Sequence, residues 1–568
     1  MPQTKNCKQC QVQFEINSED LEFLEKISPI VDGEKFVIPP PSLCPECRQK
    51  RRMSYRNERN LYLRKCDITG KQIFSIFSPD SPHKVCDKDV WWSDQFDPMH
   101  YGRDFDENKS FFEQFYKLSL EIPLPSLRVE KSENSDFNND IGDCKDCYLC
   151  ARTHSCQNCH YTYRGNHSKD CVDCMQAVDS ESLYECIECV NCNNCNYLEF
   201  CNNCSGSSFL FDCRGCNDCF LSANLRNKQY CYMNQQLTRE QYEKKMAEFD
   251  FGSHDMISHA LSEFEKIKQD AKYKNLAIVN SENCTGDNIV DCKNCQSSFG
   301  LKFSENSKYL WDIMRYKNSF DAYSGGRDSE LIYETTAVAN SYDCHFCLRA
   351  TESRHVNYSY FIRSSKNIFG CIGLNHKEFC ILNKQYSEDE YNRLTKKIIK
   401  KMVEDGEYGE FFPISNSPFA YNETVANDSF SLDKAEALSL GYRWLDSDPK
   451  EYLPATAQVP TNIKGVGESI LQEILSCECE SGCLAHKEKK CGKNYKINPL
   501  ELAFYLKQNL PIPHKCPDCR FRARQRTKNP MKLRDAVCVK CSKNIETTIP
   551  ERPNLKVYCA ACYEKEIY

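Results

Sequence analysis

The chain has 568 residues, with 74 Lys+Arg against 81 Asp+Glu and a net charge of −7, so a general coat of positive charge for nucleic acid is excluded and only local basic patches remain. At about 150 residues per domain, the length predicts roughly four domains or one long repeat array. No apolar run of about 18 residues occurs and the first residues lack an apolar secretory core, so neither a membrane span nor export is expected; the 40 cysteines then belong to a reducing, cytoplasmic setting and read as metal ligands or buried thiols.

The first module, 1–60, opens with Cys7-Lys-Gln-Cys10, followed 34 residues later by Cys44-Pro-Glu-Cys47. Two CxxC knuckles put four thiolates on two tight turns, the tetrahedral ligand set of a structural Zn2+. Segment 61–133 holds a degenerate second ribbon and a linker. Cys66-Asp-Ile-Thr69 leads to Cys86, and Thr69 and Asp89 stand where two further ligands would be. This copy is expected to keep its fold through apolar neighbours without metal, with Trp91 and Trp92 in its core.

From Cys144 to Cys231 all 17 cysteines fall on residue numbers divisible by three, in clusters whose starts as far as Cys213 are 12 or 15 apart. That phase predicts a regular repeat, the first half (134–236) of a solenoid. A helical excursion (237–275) follows, with helices over 238–249 and 257–272. The second half (276–386) keeps the beat with serine: Ser307 and Ser319, then after one shortened step Ser329, Ser341, Ser353 and Ser365, several of them preceded by Asn or Asp. Turn, short strand, turn at constant period predicts a mainly β chain, a two-part parallel β-solenoid flanked by zinc-ribbon modules and a few capping helices. A right-handed β-helix with a coil of about 24 residues is favoured over one coil per 12. Leu225, Lys228 and Cys231 recur at an offset of 149 as Leu374, Lys377 and Cys380, and each set precedes a charged helix suited to capping open strand edges. The inward cysteines read first as packed thiols. The run Cys186, Cys189, Cys192 and Cys195 keeps metal chelation open.

Segment 387–476 begins with a helix over 387–404 and continues as a belt broken by Pro413, Pro418, Pro449, Pro454 and Pro460, with a short helix over 433–440. Module 477–530 duplicates the first. Cys516-Pro-Asp-Cys519 matches the second knuckle at an offset of 472, and Cys491, Tyr495, Ile497, Leu502 and Phe504 match Cys10, Phe14, Ile16, Leu21 and Phe23 at 481. Cys7 aligns with Glu488, so the fourth ligand is recruited from elsewhere. Cys483 is the first choice, with Cys479, Cys477, His486 and Glu488 as rivals. The last module, 531–568, is a complete second-type ribbon, Cys538-Val-Lys-Cys541 and Cys559-Ala-Ala-Cys562.

The pattern Cys-x2-Cys, Phe, Leu-x-Phe, Cys-Pro-x-Cys-Arg stands here at Cys7, Cys10, Phe14, Leu21, Phe23 and Cys44 to Arg48. It resembles the zinc-ribbon, treble-clef-like domains of a family of long, cysteine-rich bacterial proteins of uncharacterised activity from small-genome bacteria. The resemblance implies ribbons and zinc, and brings no activity with it.

Two segments are strongly basic. Residues 48–65 carry a net +7 and residues 520–537 a net +6. Arg48, Lys50, Arg51, Arg52, Arg56, Arg520, Arg522, Arg524 and Arg526 would suit bidentate phosphate recognition, with Tyr55, Tyr62 and Phe521 stacking on bases. The competing account is internal compensation of thiolate or carboxylate charge. Asp312, Arg315, Asp321, Arg327 and Asp328 are the only grouping suggestive of a carbohydrate-active enzyme on a β-helix, and no nucleophile motif or phosphate loop is present. The sequence reading is a non-enzymatic zinc scaffold docking on RNA or a nucleoprotein; a protein-interaction scaffold or a thiol-based metal buffer is the alternative.

Overall fold

The computed structural model describes residues 2–446, 453–479, 483 and 491–568. Pro449, His486 and Glu488 lie outside them. The chain is mainly β and divides into two compact units, each assembled from separated stretches of sequence. Unit one comprises Met1–Ser126, Leu276–Ser447 and Met531–Leu533; unit two comprises Leu127–Asn275, Asp448–Pro530 and Arg534–Tyr568.

A three-residue rule builds the repeats of both units. Every third residue adopts a left-handed conformation although it is rarely glycine: φ is 53° at Asp143 and Asp146, 50° at Leu149, 49° at Asn306 and 46° at Asn318. Each such residue turns the chain, so the residue after it points inward, as Cys144, Cys147 and Cys150 do. Asn and Asp tolerate this conformation best among L-residues, which explains the recurrent Asp-Cys, Asn-Cys and Asn-Ser pairs. Their side chains also bridge successive repeats, as Asn158 Nδ2 does to Asp170 Oδ1 at 2.9 Å.

Four triplets make one step of twelve residues, and successive steps pair as parallel strands. In unit one Ile332, Cys344, Val356, Ile368 and Cys380 align across consecutive strands of a 15-stranded sheet. In unit two Asn196, Ser208 and Phe220 do so. The pairing offset is therefore twelve residues, not the twenty-four favoured from sequence. The serine beat is corrected as well. Ser319 and Ser329 lie in different rows: the Ile332 N–H donates to Ser319 Oγ (3.1 Å), whereas Ser329 pairs with Tyr316. The irregular step is one residue long rather than two short. It occurs where the Tyr316 phenol fills the interior, its hydroxyl donating to Val338 O at 2.6 Å, and where a Cβ on Gly325 would collide with that hydroxyl.

Helices close over the ladders' outer faces. His254–Asp270 sets Phe264 edge-on to Phe209, and Glu388–Glu404 sets Tyr391 against Phe379. Ser253 and Ser387 cap their first turns.

Candidate metal centres

Each ribbon brings its cysteines together by the same local logic. In unit one the hairpin Gln3–Asn6 with Gln13–Ile16 carries Cys7 and Cys10 in its turn, and Cys44 is the N-cap of helix Pro45–Met53, whose first turn holds Cys47. In unit two the hairpin Arg534–Val537 with Asn544–Thr547 presents Cys538 and Cys541, and Cys559 caps helix Ala560–Ile567, which carries Cys562. Both sets of four sulfurs converge within 4.8 Å. Cys10 and Cys44 are 3.7 Å apart and Cys541 and Cys559 3.8 Å. A tetrahedron with the ~2.3 Å Zn–S bond has an edge of about 3.8 Å, so the donor sets fit a tetrathiolate ion.

In each four-sulfur group one thiol is favoured as thiolate, while hydrogen bonds and burial raise neighbours such as Cys47, Cys519 and Cys562. A hydrogen bond from Cys47 brings the Cys44 thiol down to about 5, helped by the amide of Cys47 at the helix start. Burial pushes Cys538 up, but the amides of Cys559 and Cys541 outweigh it and leave the thiol at about 6. Cys516, N-cap of helix Pro517–Thr527, is lowered to about 2 by hydrogen bonds from Cys477 and Cys519.

In module 477–530 the sequence-level choice of Cys483 is corrected. Cys477, Cys491, Cys516 and Cys519 form the four-sulfur group. The Cys477 N–H donates to Lys493 O (2.7 Å) as the Cys7 N–H donates to Val12 O (3.0 Å), so Cys477 is the structural counterpart of Cys7. Thirteen residues separate Cys477 from Cys491 where two separate Cys7 from Cys10, which is why a fixed offset pointed to Glu488. Cys483 converges instead with Cys479 on Cys519.

The degenerate ribbon keeps the plan. Its hairpin Tyr62–Lys65 with Gln72–Ser75 leads to Asp87, the N-cap of Lys88–Trp91. Asp87 N–H donates to Cys66 Sγ (3.4 Å) as Cys559 N–H donates to Cys538 Sγ (3.3 Å). Asp87, one residue after Cys86, therefore occupies the place of Cys559. Trp91 is buried and stacks on Phe96, whereas Trp92, expected in the core, is 46% exposed.

The interior cysteines behave as packing groups. Among the described residues they form no cluster of three converging ligands. Cys186 Sγ donates to Tyr184 O (3.4 Å) and Cys195 O (3.6 Å). Burial holds Cys344 and Cys371 well above the ordinary thiol range and Cys347 at about 12, whereas at Cys189 burial is outweighed by hydrogen bonds from Cys186 and Cys192, which bring the thiol to about 6.

All the arginines named for phosphate except Arg526 are buried instead. Arg48 makes a two-pronged contact with Asp321 (3.0 and 2.9 Å), and Arg52, fully enclosed, reaches Glu334 at 2.8 Å and Asp321 at 3.1 Å. Arg51 pairs with Glu410 at 2.9 Å and Arg56 with Glu58 at 2.8 Å. In unit two Arg520 meets Asp173 at 2.7 Å, and Arg524 meets Asp173 at 2.7 Å and Glu185 at 2.6 Å. Arg522 is buried, Lys50 is half-buried and Arg526 is exposed. Tyr55, Tyr62 and Phe521 are core residues, Phe521 lying edge-on to Tyr163. Burial alone would lower the pKa of Arg48, but the Asp321 carboxylate raises it and keeps the guanidinium charged. A guanidinium with both edges on carboxylates in a closed interior has no face left for phosphate.

The proposed enzyme grouping does not converge. Asp321 is committed to the arginines, while Arg315 and Asp328 form a loose exposed pair at 3.9 Å. No family model matches the chain, and no curated protein matches it either. No helix among the described residues is long and apolar enough to cross a membrane.

Proposed function

We propose that the chain is a zinc-dependent scaffold in which each metal-bearing ribbon is the anchor of a two-part parallel β-solenoid with one coil per twelve residues. One observation carries this reading: metal ligands and clamp residues share a helix. Cys47 and Arg48 are neighbours in Pro45–Met53, as Cys519 and Arg520 are in Pro517–Thr527, so an ion that fixes the helix N-terminus also aims the arginines. The hairpin knuckle followed by a cysteine-capped helix supports the treble-clef-like reading of the modules. Thiolate donors with tetrahedral spacing support zinc over harder cations.

Elemental analysis of protein purified under reducing conditions should return at least one zinc for each tetrathiolate group, and a thiol-competitive chelator should unfold the ribbons. A fully folded, metal-free chain would overturn the proposal. Docking on RNA or a nucleoprotein surface is the second reading. It is left to the exposed Arg526 and half-buried Lys50, and it predicts retention on immobilised RNA that weakens steeply with salt.

A further inference from the structure

The duplicate ribbon in unit two holds two more cysteines than a tetrahedral site needs. Six sulfurs gather there. Cys477, Cys491, Cys516 and Cys519 lie within 4.8 Å of one another, and so do Cys479, Cys483 and Cys519. The two groups interlock: Cys519 belongs to both, and Cys491 of the first touches Cys479 of the second at 3.2 Å. The remaining contacts, Cys477–Cys519 at 3.7 Å, Cys483–Cys519 at 3.9 Å and Cys491–Cys516 at 4.0 Å, lie near the ~3.8 Å edge of a zinc–sulfur tetrahedron.

We infer that this ribbon binds two zinc ions in one six-thiolate cluster, with Cys491 and Cys519 bridging. The inference rests on the zinc reading above and adds a second ion to one of its sites. One ion takes Cys477 and Cys516 as terminal ligands and completes four sulfurs with the two bridges; the other takes Cys479, Cys483 and Cys519, which converge within 4.8 Å, and gains Cys491 as its fourth by way of the 3.2 Å contact with Cys479. Two divalent ions and six thiolates carry a net charge of about −2, the same as one ion with four thiolates, so the second ion adds no uncompensated charge. One ion alone would leave two surplus thiols packed against thiolates. The N-terminal ribbon supplies the internal contrast: its knuckle has Cys7 and Cys10 with no cysteine between Cys10 and Cys44, and its group stops at four sulfurs. Cys479 and Cys483 lie in the stretch by which the duplicate's knuckle is longer, after the strand Leu475–Ser476 that pairs with Asn494–Tyr495 and carries Cys477 to the site.

The test is zinc stoichiometry by native mass spectrometry of the full chain, paired with the C479S/C483S variant. Two ions here and one in each other tetrathiolate group predict four zinc per chain, falling to three in the variant. Three zinc in both proteins would overturn the cluster while leaving the scaffold proposal intact; a zinc-free folded chain would overturn both. Replacement of zinc by the NMR-active cadmium isotope gives a readout on the unmutated chain. Thiolate bridges split two cadmium resonances by mutual coupling, and unsplit resonances throughout would also reject the cluster.

Discussion

The inward rows of unit one carry Ile289, Leu301, Leu310, Ile332, Val356 and Ile368 with a minority of cysteines, whereas those of unit two stack cysteine from Cys144 to Cys231. The backbone treats the two fillings alike. The Cys213 N–H donates to Cys201 Sγ (3.4 Å) as the Ser353 N–H donates to Ser341 Oγ (3.1 Å), and Cys201 and Ser341 each donate to the carbonyl two residues back. The clamps, by contrast, are nearly invariant. Tyr309, Asp321 and Glu334 meet Arg48 and Arg52; Tyr161, Asp173 and Glu185 meet Arg520 and Arg524. All six of these tyrosine and carboxylate residues occupy left-handed positions, which lie outside the inward rows. The interior thus accepts any small group that fills space and can serve a turn, while the docking row accepts one arrangement of charge.

Four expected outcomes probe this contrast. The largest is for the clamps: R52A and R524A should each destabilise their unit by about 3–5 kcal/mol in denaturant unfolding, because R52A removes the nearest cation of buried Glu334 and R524A that of Glu185. A large loss in one unit and none in the other would break the equivalence. Next come the ligands. C44S and C516S should each release metal and lower the unfolding midpoint of their ribbon, measured with zinc release by a chromophoric chelator. Third, acid should weaken both units. Burial holds His83 at about 3 and His160 at about 4, so between those values and the ordinary 6.5 the folded state binds fewer protons than the unfolded state. Stability therefore falls as pH drops below 6.5, by up to about 3 kcal/mol for His160 alone, and H160Q should flatten that slope. The smallest effect is C201S, a change of the inward row from thiol to hydroxyl, which should cost about 1 kcal/mol or less and leave the metal content unchanged.

Much of this was legible because period and spacing survive in the chain. The CxxC knuckles, the duplicate module and the twelve-residue beat are all visible in residue types alone. The step length was misread because two interior rows lie three residues apart, so Ser319 to Ser329 looks like a short hop when it changes row. A fixed offset ranks Cys477 below Cys483 because it cannot register residues inserted between two ligands, which the pairing of Leu475–Ser476 with Asn494–Tyr495 reveals. The arginines mislead for a different reason: the carboxylates that clamp Arg48, Arg52 and Arg524 are hundreds of residues away in sequence. A signal did exist. Tyr161 and Asp173 recur at Tyr309 and Asp321 at an offset of 148, and Glu185 recurs at Glu334 at 149, the same duplication that marks the ends of the two halves, with one residue inserted at the long step.

The alternating assignment of segments to units sets a timetable for synthesis. Unit one gathers all but a three-residue piece by the time residue 447 has left the translating ribosome, although it contains the chain's beginning; the stretch from Leu127 to Asn275 is made earlier but must wait for residues beyond 448 to supply its arginine helix. During that interval Asp173 and Glu185 have no guanidinium to meet. A chain halted between residues 447 and 520 would thus carry unit one lacking three residues and an acidic row with no guanidinium opposite it.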